Sequence, residues 1–224
     1  MTGSTAGPAE VGFPPVLLPV ALRLEGRRCL VVGGGPVAER RTRDLLSCGA
    51  RVTVVALEVG ASMASLARES PELVVLHRAY LADDVRGNTL VLAATGVSRV
   101  DAVVAADARA AGVLVNCADD PEHCDLYLTS VHRSGPVTVS VSSSGTSPAL
   151  ARWLRSRLAL QVGPEYARLA MLLAERRADL HASGLSTMAR DWEALLTDEL
   201  LDCFRNGDEA RARSIIDQWE AIPA

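Results

Sequence analysis

The chain reads CLVVGGGPVAERRTRDLLSCGARVTVVAL from residue 29 to residue 57. An apolar run is followed by three glycines and then by apolar residues at helical spacing, which stop at Gly49, a typical C-terminal cap. The β-branched run RVTVVAL at residues 51–57 follows, with the pattern of a strand buried on both faces. Strand, glycine turn, helix and strand in this order predict a right-handed βαβ unit.

The same alternation continues towards the C-terminus. A helix is predicted over residues 100–111, and three more strands are predicted in LVVLHRAY (73–80), NTLVLAATG (88–96) and GVLVNCADD (112–120). Strands that alternate with helices predict a doubly wound, Rossmann-like parallel sheet. The later run PVTVSVSSSG (136–145) alternates like a half-exposed strand, and from Ser147 onwards the pattern is helical. The predicted fold class is α/β, with a small strand-containing segment and an all-helical C-terminal domain.

The composition excludes several chemistries. All 23 basic residues are arginine, since the 224-residue chain contains no lysine. Walker-type phosphate binding, Schiff-base catalysis and the Tyr-x-x-x-Lys pair of short-chain dehydrogenases all require a lysine. The formal net charge is -4, and the dispersed arginines form no basic stripe of the kind that binds phosphates. We therefore expect no nucleic-acid partner.

The N-terminus and the cysteines indicate the compartment. No apolar run approaches the roughly 20 residues that span a bilayer, and MTGSTAGPAE has no signal-peptide features. The five scattered cysteines favour reduced thiols over a disulfide framework. We expect a cytoplasmic protein without a membrane partner, in which residues 1–12 form a disordered leader.

The glycine turn fits the motif G-x-G-x-x-A through Gly33, Gly35 and Ala38. In this motif the first glycine makes a tight turn, the second lets the backbone approach a pyrophosphate, and the small last residue lets the helix pack on the strand. The helix N-terminus then faces the phosphates. The motif predicts dinucleotide binding, and the alternative is that the glycines only shape a tight loop.

The sequence identifies the residue that would bind the ribose hydroxyls less clearly than it identifies the glycine turn. Glu58 is the first acid after the second predicted strand and comes slightly later than the usual spacing. It either binds a ribose hydroxyl or is simply solvated. No arginine follows this strand to receive a 2′-phosphate, so the sequence favours NAD over NADP.

The substrate of an open α/β sheet approaches over the carboxyl ends of the strands. Thr95 and Gly96 follow one predicted strand and would lie beside the nicotinamide, and Asn116 ends the next and would face the substrate. Asp119 is the leading candidate acid, because a carboxylate there can take the proton that accompanies hydride loss. The alternative is a turn aspartate that bonds its own backbone before Pro121.

A metal site is not expected. Cys117, His123 and Cys124 lie close together, but no second CxxC or HxxxH supplies the remaining ligands. Buried thiols and a surface imidazole are the simpler interpretation.

A serine-rich loop precedes the helical tail. Ser147 is a predicted N-cap with Pro148 at the first helical position, and the loop offers hydroxyls and N–H groups to an anion. The next helix carries arginines, of which Arg152 and Arg155 share a face. The loop and this face predict contacts with substrate carboxylates. The alternative is a well-capped helix with solvated arginines at a dimer surface. The candidate contact residues are Ser143, Ser144, Thr146 and Arg152.

Five ordered blocks together resemble the precorrin-2 dehydrogenase family, the NAD-dependent dehydrogenase and ferrochelatase module of sirohaem synthase. The blocks are GRRCLVVGGGPVAERR, GARVTVVA, VLAAT, LVNCADDP and VSSSGTSPALAR. The resemblance is close over residues 13–157 and looser in the tail. It implies an NAD-binding domain over residues 13–125, a dimerisation region over 126–160 and a helical C-terminal domain over 161–224.

The resemblance also implies the reaction. Family members oxidise precorrin-2 to sirohydrochlorin with NAD+, and bifunctional members then insert Fe2+ to give sirohaem. Asp119 falls on the family's catalytic aspartate, and Ser143 falls on a loop serine near the tetrapyrrole that is phosphorylated in some members. Members are homodimers with the active site between the NAD domain and the dimer region. The positions that fall on NAD contacts are Pro36, Val37, Leu57 and Glu58.

Two departures from the family pattern matter. Gly96-Val97 stands where the family often has an acidic pair, which weakens any cofactor role at that position. The sequence stops at Ala224 without the methyltransferase domain of trifunctional members, so we expect a separate protein to make precorrin-2. The competing hypothesis is a non-catalytic NAD(H)-binding redox sensor with a helical tail that contacts a partner.

Overall fold

The computed structural model describes residues 16–118, 120–184 and 191–221. The chain divides into two compact units, of which the first ends at Leu128 and the second begins at Thr129. None of the helices in these ranges is long and apolar enough to cross a membrane.

The first unit contains a five-stranded parallel sheet with the strand order β3-β2-β1-β4-β5. The central strand β1 pairs with β2 on one side and with β4 on the other, so that Val32 lies opposite both Val55 and Ala93. This arrangement confirms the predicted parallel α/β sheet. The strands are β1 (Arg28–Val32), β2 (Arg51–Ala56), β3 (Leu73–His77), β4 (Leu90–Ala93) and β5 (Leu114–Cys117).

Helices cover both faces of this sheet because successive strand residues point in opposite directions. In β1, Cys29 and Val31 belong to one apolar core, whereas Leu30 and Val32 belong to the other. The helices are α1 (Pro36–Ser47), α2 (Ala61–Glu69) and α3 (Ser98–Ala110), and two 3₁₀ turns lie at Ala82–Val85 and Pro121–His123.

Local signals explain the limits of α1. Proline at its first position has a φ suited to a helix, and Gly49 just beyond its end has a φ of +74°, the left-handed conformation of a glycine cap. Strand β2 ends at Ala56, one residue earlier than predicted, and Leu57 is 73% exposed. The chain therefore leaves the sheet just before the candidate ribose reader.

The second unit joins a hairpin to helices. Strands β6 (Ser130–Ser134) and β7 (Val137–Val141) pair antiparallel, which confirms the strand predicted at residues 136–145. The hydroxyl of Ser134 donates to the carbonyl oxygen of Gly163 at 2.7 Å and so ties the hairpin to the start of α5. The helices are α4 (Pro148–Ala159), α5 (Pro164–Ala182), α6 (Trp192–Leu195), α7 (Asp198–Asn206) and α8 (Glu209–Glu220).

The helical tail has its own apolar core. Leu200, Phe204 and Ile216 are fully buried there, and the rings of Trp192 and Trp219 lie 4.9 Å apart. The described residues thus confirm the predicted fold class: a Rossmann-like sheet, a small strand-containing segment and a helical C-terminal part.

Candidate active site

The glycine turn joins β1 to α1 at the carboxyl end of the sheet. Gly33 has a φ of +126°, and a Cβ placed on it would overlap the carbonyl group of Ala94. Its N–H donates to the carbonyl oxygen of Val55 at 2.9 Å. The first glycine of the motif is therefore required by the approach of the neighbouring β4 segment and by its own backbone conformation.

Gly34 is also required to be glycine, although the motif G-x-G allows any residue at its position. A Cβ on Gly34 would overlap the backbone carbonyl oxygen of Glu58. The N–H of Gly60 also lies 3.4 Å from the carbonyl oxygen of Gly34. The G-x-G-x-x-A motif does not predict this contact, and its only signal in the sequence is the third glycine of the run.

Gly35 lies at an open position directly before α1. A Cβ on Gly35 would meet no atom within 4 Å, and its φ of -80° is one that any residue adopts. No side chain caps the N-terminus of α1, so the first N–H groups of this twelve-residue helix remain available to a ligand. Ala38 in the same turn is fully buried. These features fit a pyrophosphate held by backbone groups at the helix N-terminus.

The segment after β2 lies beside this turn. Leu57 and Glu58 are exposed, while the backbone of Glu58 packs against Gly34. The arrangement places the candidate ribose reader next to the candidate phosphate site. Of the other predicted NAD contacts, Pro36 and Val37 are exposed at the start of α1.

A small polar cluster joins α1 to α2 near this edge. Ser62 donates to the carboxylate of Glu39 at 2.6 Å, and Arg43 donates to the same oxygen at 3.0 Å. These hydrogen bonds, first from Ser62 and then from Arg43, lower the pKa of Glu39. The guanidinium of Arg43 is thereby engaged within the protein rather than offered to a ligand.

Thr95 and Gly96 begin the loop after β4. Oδ1 of Asp101, in the first turn of α3, accepts from the N–H of Thr95 at 3.1 Å and from its hydroxyl at 2.8 Å. Asp101 is only 7% exposed. Gly96 is exposed, with a φ of +73°. Asp101 thus fixes the candidate nicotinamide loop, a role that the sequence analysis did not assign.

We expect Asp101→Ala to destabilise the first unit by about 1–3 kcal/mol, because it leaves two donors of Thr95 without their acceptor. The measurement is the midpoint of urea unfolding. Asp107 of the same helix is unsuitable as a control site, because its half-buried carboxylate accepts a hydrogen bond from Tyr80. Asp83→Ala is the better control, since the Asp83–Arg86 pair is exposed. Equal midpoints for the two variants would contradict the proposed restraint.

The end of β5 is a region of buried sulfur and amide groups. Nδ2 of Asn116 donates to the carbonyl oxygen of Leu126 at 2.9 Å and lies 3.3 Å from Sγ of Cys124. A substrate contact by this amide nitrogen would require one of these interactions to be broken. Asp119, the predicted catalytic residue, lies outside the described residues.

The two thiols of this region are held as structural groups. Burial raises the pKa of Cys117 to about 12 and also raises the pKa of Cys124. Sγ of Cys124 accepts from the N–H of Cys117 at 3.1 Å. Among the residues that the structure describes, no group of three or more metal-binding side chains is found.

The serine loop belongs to the second unit. Ser147 caps α4 by accepting from the N–H of Leu150 at 3.2 Å, as predicted, and Oγ of Ser143 accepts from the N–H of Ser147 at 3.0 Å. Ser144 has a φ of +51°, and Thr146 donates its hydroxyl to the carbonyl oxygen of Ser143. The loop is therefore a hydrogen-bonded turn, and no acceptor for the Ser143 hydroxyl hydrogen is found among the residues that the structure describes.

The arginines of α4 differ in their surroundings. Arg152 is exposed on the first turns of the helix, whereas Arg155 is half-buried. The guanidinium of Arg157 lies 5.0 Å from the ring centre of Trp153, a cation–π contact. Arg152 is thus the arginine best placed to meet a solvent-borne carboxylate near the serine loop.

Comparisons with known proteins agree with this arrangement. Residues 20–130 match the family model described as NAD(P)-binding, and residues 134–160 match that of the sirohaem biosynthesis protein central domain. The chain is 40% identical over 198 residues to the siroheme synthase of Chromobacterium violaceum, an alignment that covers 88% of this chain and 42% of that protein. It is 42% identical over 160 residues to the siroheme synthase of Pseudomonas putida, with 71% and 34% covered.

A solved structure extends the likeness to the whole fold. The precorrin-2 dehydrogenase SirC is matched with a TM-score of 0.71 and 26% identity, over 92% of this chain and 100% of that one. The chain spans less than half the length of the curated relatives cited above. Both family segments occur in this chain, one after the other, and the chain has the fold of SirC. The chain therefore belongs to the family of the precorrin-2 dehydrogenases and the dehydrogenase–chelatase modules of sirohaem synthases.

Proposed function

We propose that this protein oxidises precorrin-2 to sirohydrochlorin, with NAD+ as the hydride acceptor. The observation that carries the proposal is the joint match to SirC and to both family models, in a fold whose glycine turn opens at an uncapped helix N-terminus. When bound, the nicotinamide supplies the electrophilic carbon that takes the hydride. The residues of this chain bind and orient the cofactor and the substrate, and they remove the proton.

The preference for NAD over NADP rests on Glu58. Glu58 follows β2, and its backbone packs against Gly34 of the glycine turn; a carboxylate at this position would repel a 2′-phosphate and bind a ribose hydroxyl. Arg43, the arginine of α1 that reaches across to α2, already donates to Glu39 and Ser62. A 2′-phosphate would therefore find an acid rather than a free arginine at this position.

The proposed catalytic residue is Asp119. The support for it comes from the sequence, in which Asp119 follows the fifth strand and falls on the family's catalytic aspartate. A carboxylate at the end of the fifth strand can accept the proton that leaves as the hydride departs. Thr95 and Gly96, fixed by Asp101, form the nicotinamide loop of this proposal. Asn116 contributes by holding the segment from Cys124 to Leu126 against the end of β5.

Precorrin-2 carries eight carboxylates, which need donors and positive charge. The hydroxyls of Ser143 and Ser144 and the exposed Arg152 offer these on the second unit. Both donors of Thr146 already bond to the carbonyl oxygen of Ser143, so a contact of Thr146 with the substrate would require one of these bonds to be broken. Local charge of this kind lets a chain of net charge -4 bind a polyanion.

Dimerisation and iron insertion complete the proposal. In the described part of the chain the β6–β7 hairpin is two-stranded, so each strand keeps an edge that a second copy could pair with. We infer that the protein is a homodimer that works in the cytoplasm, where its five thiols stay reduced. We also propose a second reaction, in which Fe2+ is inserted into sirohydrochlorin.

The test is an anaerobic incubation of the purified protein with enzymatically generated precorrin-2 and NAD+. We expect NADH and sirohydrochlorin to form in equal amounts, and much more slowly with NADP+. Fe2+ or Co2+ is then added to detect chelation by the change in absorbance. If NAD+ binds but neither product forms, the redox-sensor hypothesis replaces the dehydrogenase.

A further inference from the structure

Arg41 lies in the second turn of α1, on the flank that faces away from α2. Glu39 and Arg43 both bond to Ser62 of α2, at 2.6 Å and 3.2 Å. Arg41 comes midway between them in the chain, and with about 3.6 residues per helical turn it lies on nearly the opposite side of the helix. The arginine is therefore separate from the polar cluster that joins α1 to α2.

The flank that carries Arg41 lies against the segment that follows β5. Ala38 and Leu45, one turn before and one turn after Arg41, belong to an apolar core that also includes Leu126 of that segment. The thiol of Cys124 in the same segment lies close enough to affect the pKa of Arg41. Helical side chains point back towards the helix N-terminus, which for α1 is the carboxyl edge of the sheet. The long side chain of Arg41 is therefore directed towards that edge, beside β5.

The guanidinium of Arg41 forms no ion pair and no hydrogen bond with the residues that the structure describes. Its Nε atom is buried without a partner there, although the side chain as a whole is only half-buried. Burial lowers the pKa of Arg41, and repulsion by Arg40 lowers it further, while Asp44 and Cys124 act in the opposite sense. Because an arginine ordinarily has a pKa above about 12, the side chain still carries its charge at neutral pH.

An unpaired, half-buried guanidinium lowers the stability of the free protein. Burial removes water from the charge, and no carboxylate among the described residues compensates for this loss by direct contact. Such groups are retained where they serve function, because selection tolerates a modest loss of stability. Arginine also presents its nitrogens in a planar fork that matches the two oxygens of a carboxylate. The charge and the shape of Arg41 therefore suit a carboxylate ligand.

The proposed reaction brings two anions to this edge of the sheet. The pyrophosphate of NAD+ would lie at the N-terminus of α1, where backbone N–H groups receive it. The substrate would lie over the carboxyl ends of β4 and β5. Arg41 is on the flank of α1 beside the segment that follows β5, so its position favours the substrate.

We propose that Arg41 binds a carboxylate of the tetrapyrrole through the two terminal nitrogens of its guanidinium. The inference rests on the proposed function, which supplies the identity of the substrate. It gives the first unit a cationic contact with the substrate, at a position to which the sequence analysis assigned no role. Arg41 is a binding residue in this proposal and takes no part in proton or hydride transfer.

Anaerobic fluorescence titration with sirohydrochlorin tests the proposal without turnover, since this product keeps the carboxylates of precorrin-2. We expect Arg41→Gln to raise the Kd for sirohydrochlorin by about 10- to 100-fold, because hydrogen bonds from a charged donor are lost, and to leave the Kd for NAD+ unchanged. Arg40→Gln is the matched control, because it removes the same charge from the exposed neighbouring position of α1. It should keep both wild-type Kd values. Arg41→Lys, which keeps the charge but not the fork, should give an intermediate Kd for sirohydrochlorin.

Urea unfolding separates a binding role from a structural one. Arg41→Met keeps an apolar stem and removes the unpaired charge, so we expect an unfolding midpoint equal to or above that of wild type. A wild-type Kd for sirohydrochlorin in Arg41→Gln would overturn the proposal. A lower midpoint for Arg41→Met would then assign the residue to the stability of the fold.

The remaining outcomes distinguish this inference from the proposed function. If Arg41→Gln weakens the binding of NAD+ and not that of sirohydrochlorin, the guanidinium binds the pyrophosphate and the inference is wrong. If wild type binds sirohydrochlorin but forms no NADH from precorrin-2, the proposed dehydrogenase fails, and the comparison of Kd values still decides the role of Arg41. If wild type binds no sirohydrochlorin, both proposals fail.

Discussion

Gly35→Ala is expected to leave the protein folded and to weaken NAD+ binding by at least about tenfold. The φ of this residue suits alanine, and its Cβ would enter open space before α1. That space is where the pyrophosphate must approach the helix N-terminus, so the methyl group would displace the ligand rather than the protein.

Gly34→Ala provides the contrast. Its Cβ would overlap the carbonyl oxygen of Glu58, so backbone must move, and we expect a loss of stability of about 3 kcal/mol. Gly60→Ala is the control, because its Cβ meets no atom within 4 Å. Urea unfolding measures the loss of stability in Gly34→Ala. Titration with NAD+, followed by fluorescence or calorimetry, measures the loss of binding in Gly35→Ala. Normal NAD+ affinity in Gly35→Ala would show that the phosphates do not bind at this turn.

The second large effect is expected at Asp119. Asp119→Ala should lower dehydrogenase turnover by about 1,000-fold while the Kd for NAD+ stays nearly unchanged, because the role we propose for this carboxylate is to take the proton and not to bind the cofactor. Stopped-flow measurement of NADH formation and a separate NAD+ titration give the two quantities. Asp83→Ala, an exposed acid at the other 3₁₀ turn, serves as the control. Retained turnover would refute the assigned role.

The sheet and the first turn of α1 could be predicted because their signals lie in the side chains themselves. Strands buried on both faces are apolar throughout, as in β1, and the motif glycines Gly33 and Gly35 sit at fixed spacing. The helical tail was predicted for the same reason, since its apolar residues recur at helical spacing.

The missed features depend on backbone groups or on long-range partners. The neighbour that requires Gly34 is the carbonyl oxygen of Glu58, and a carbonyl has no signature in the sequence. Asp101 looks like an ordinary acid in the first turn of a helix until the fold brings Thr95 beside it. Asn116 looks like a substrate contact at a strand end, yet its amide nitrogen donates to the backbone of Leu126.

The contact between Gly34 and Glu58 has a consequence for protein engineering. Cofactor preference is commonly redesigned by exchanging the loop after the second strand, on the assumption that this loop is an independent module. Here the backbone of that loop rests on the glycine turn, so a transplanted loop of different shape would deform the phosphate site as well. A successful transplant must bring both segments from the same donor protein.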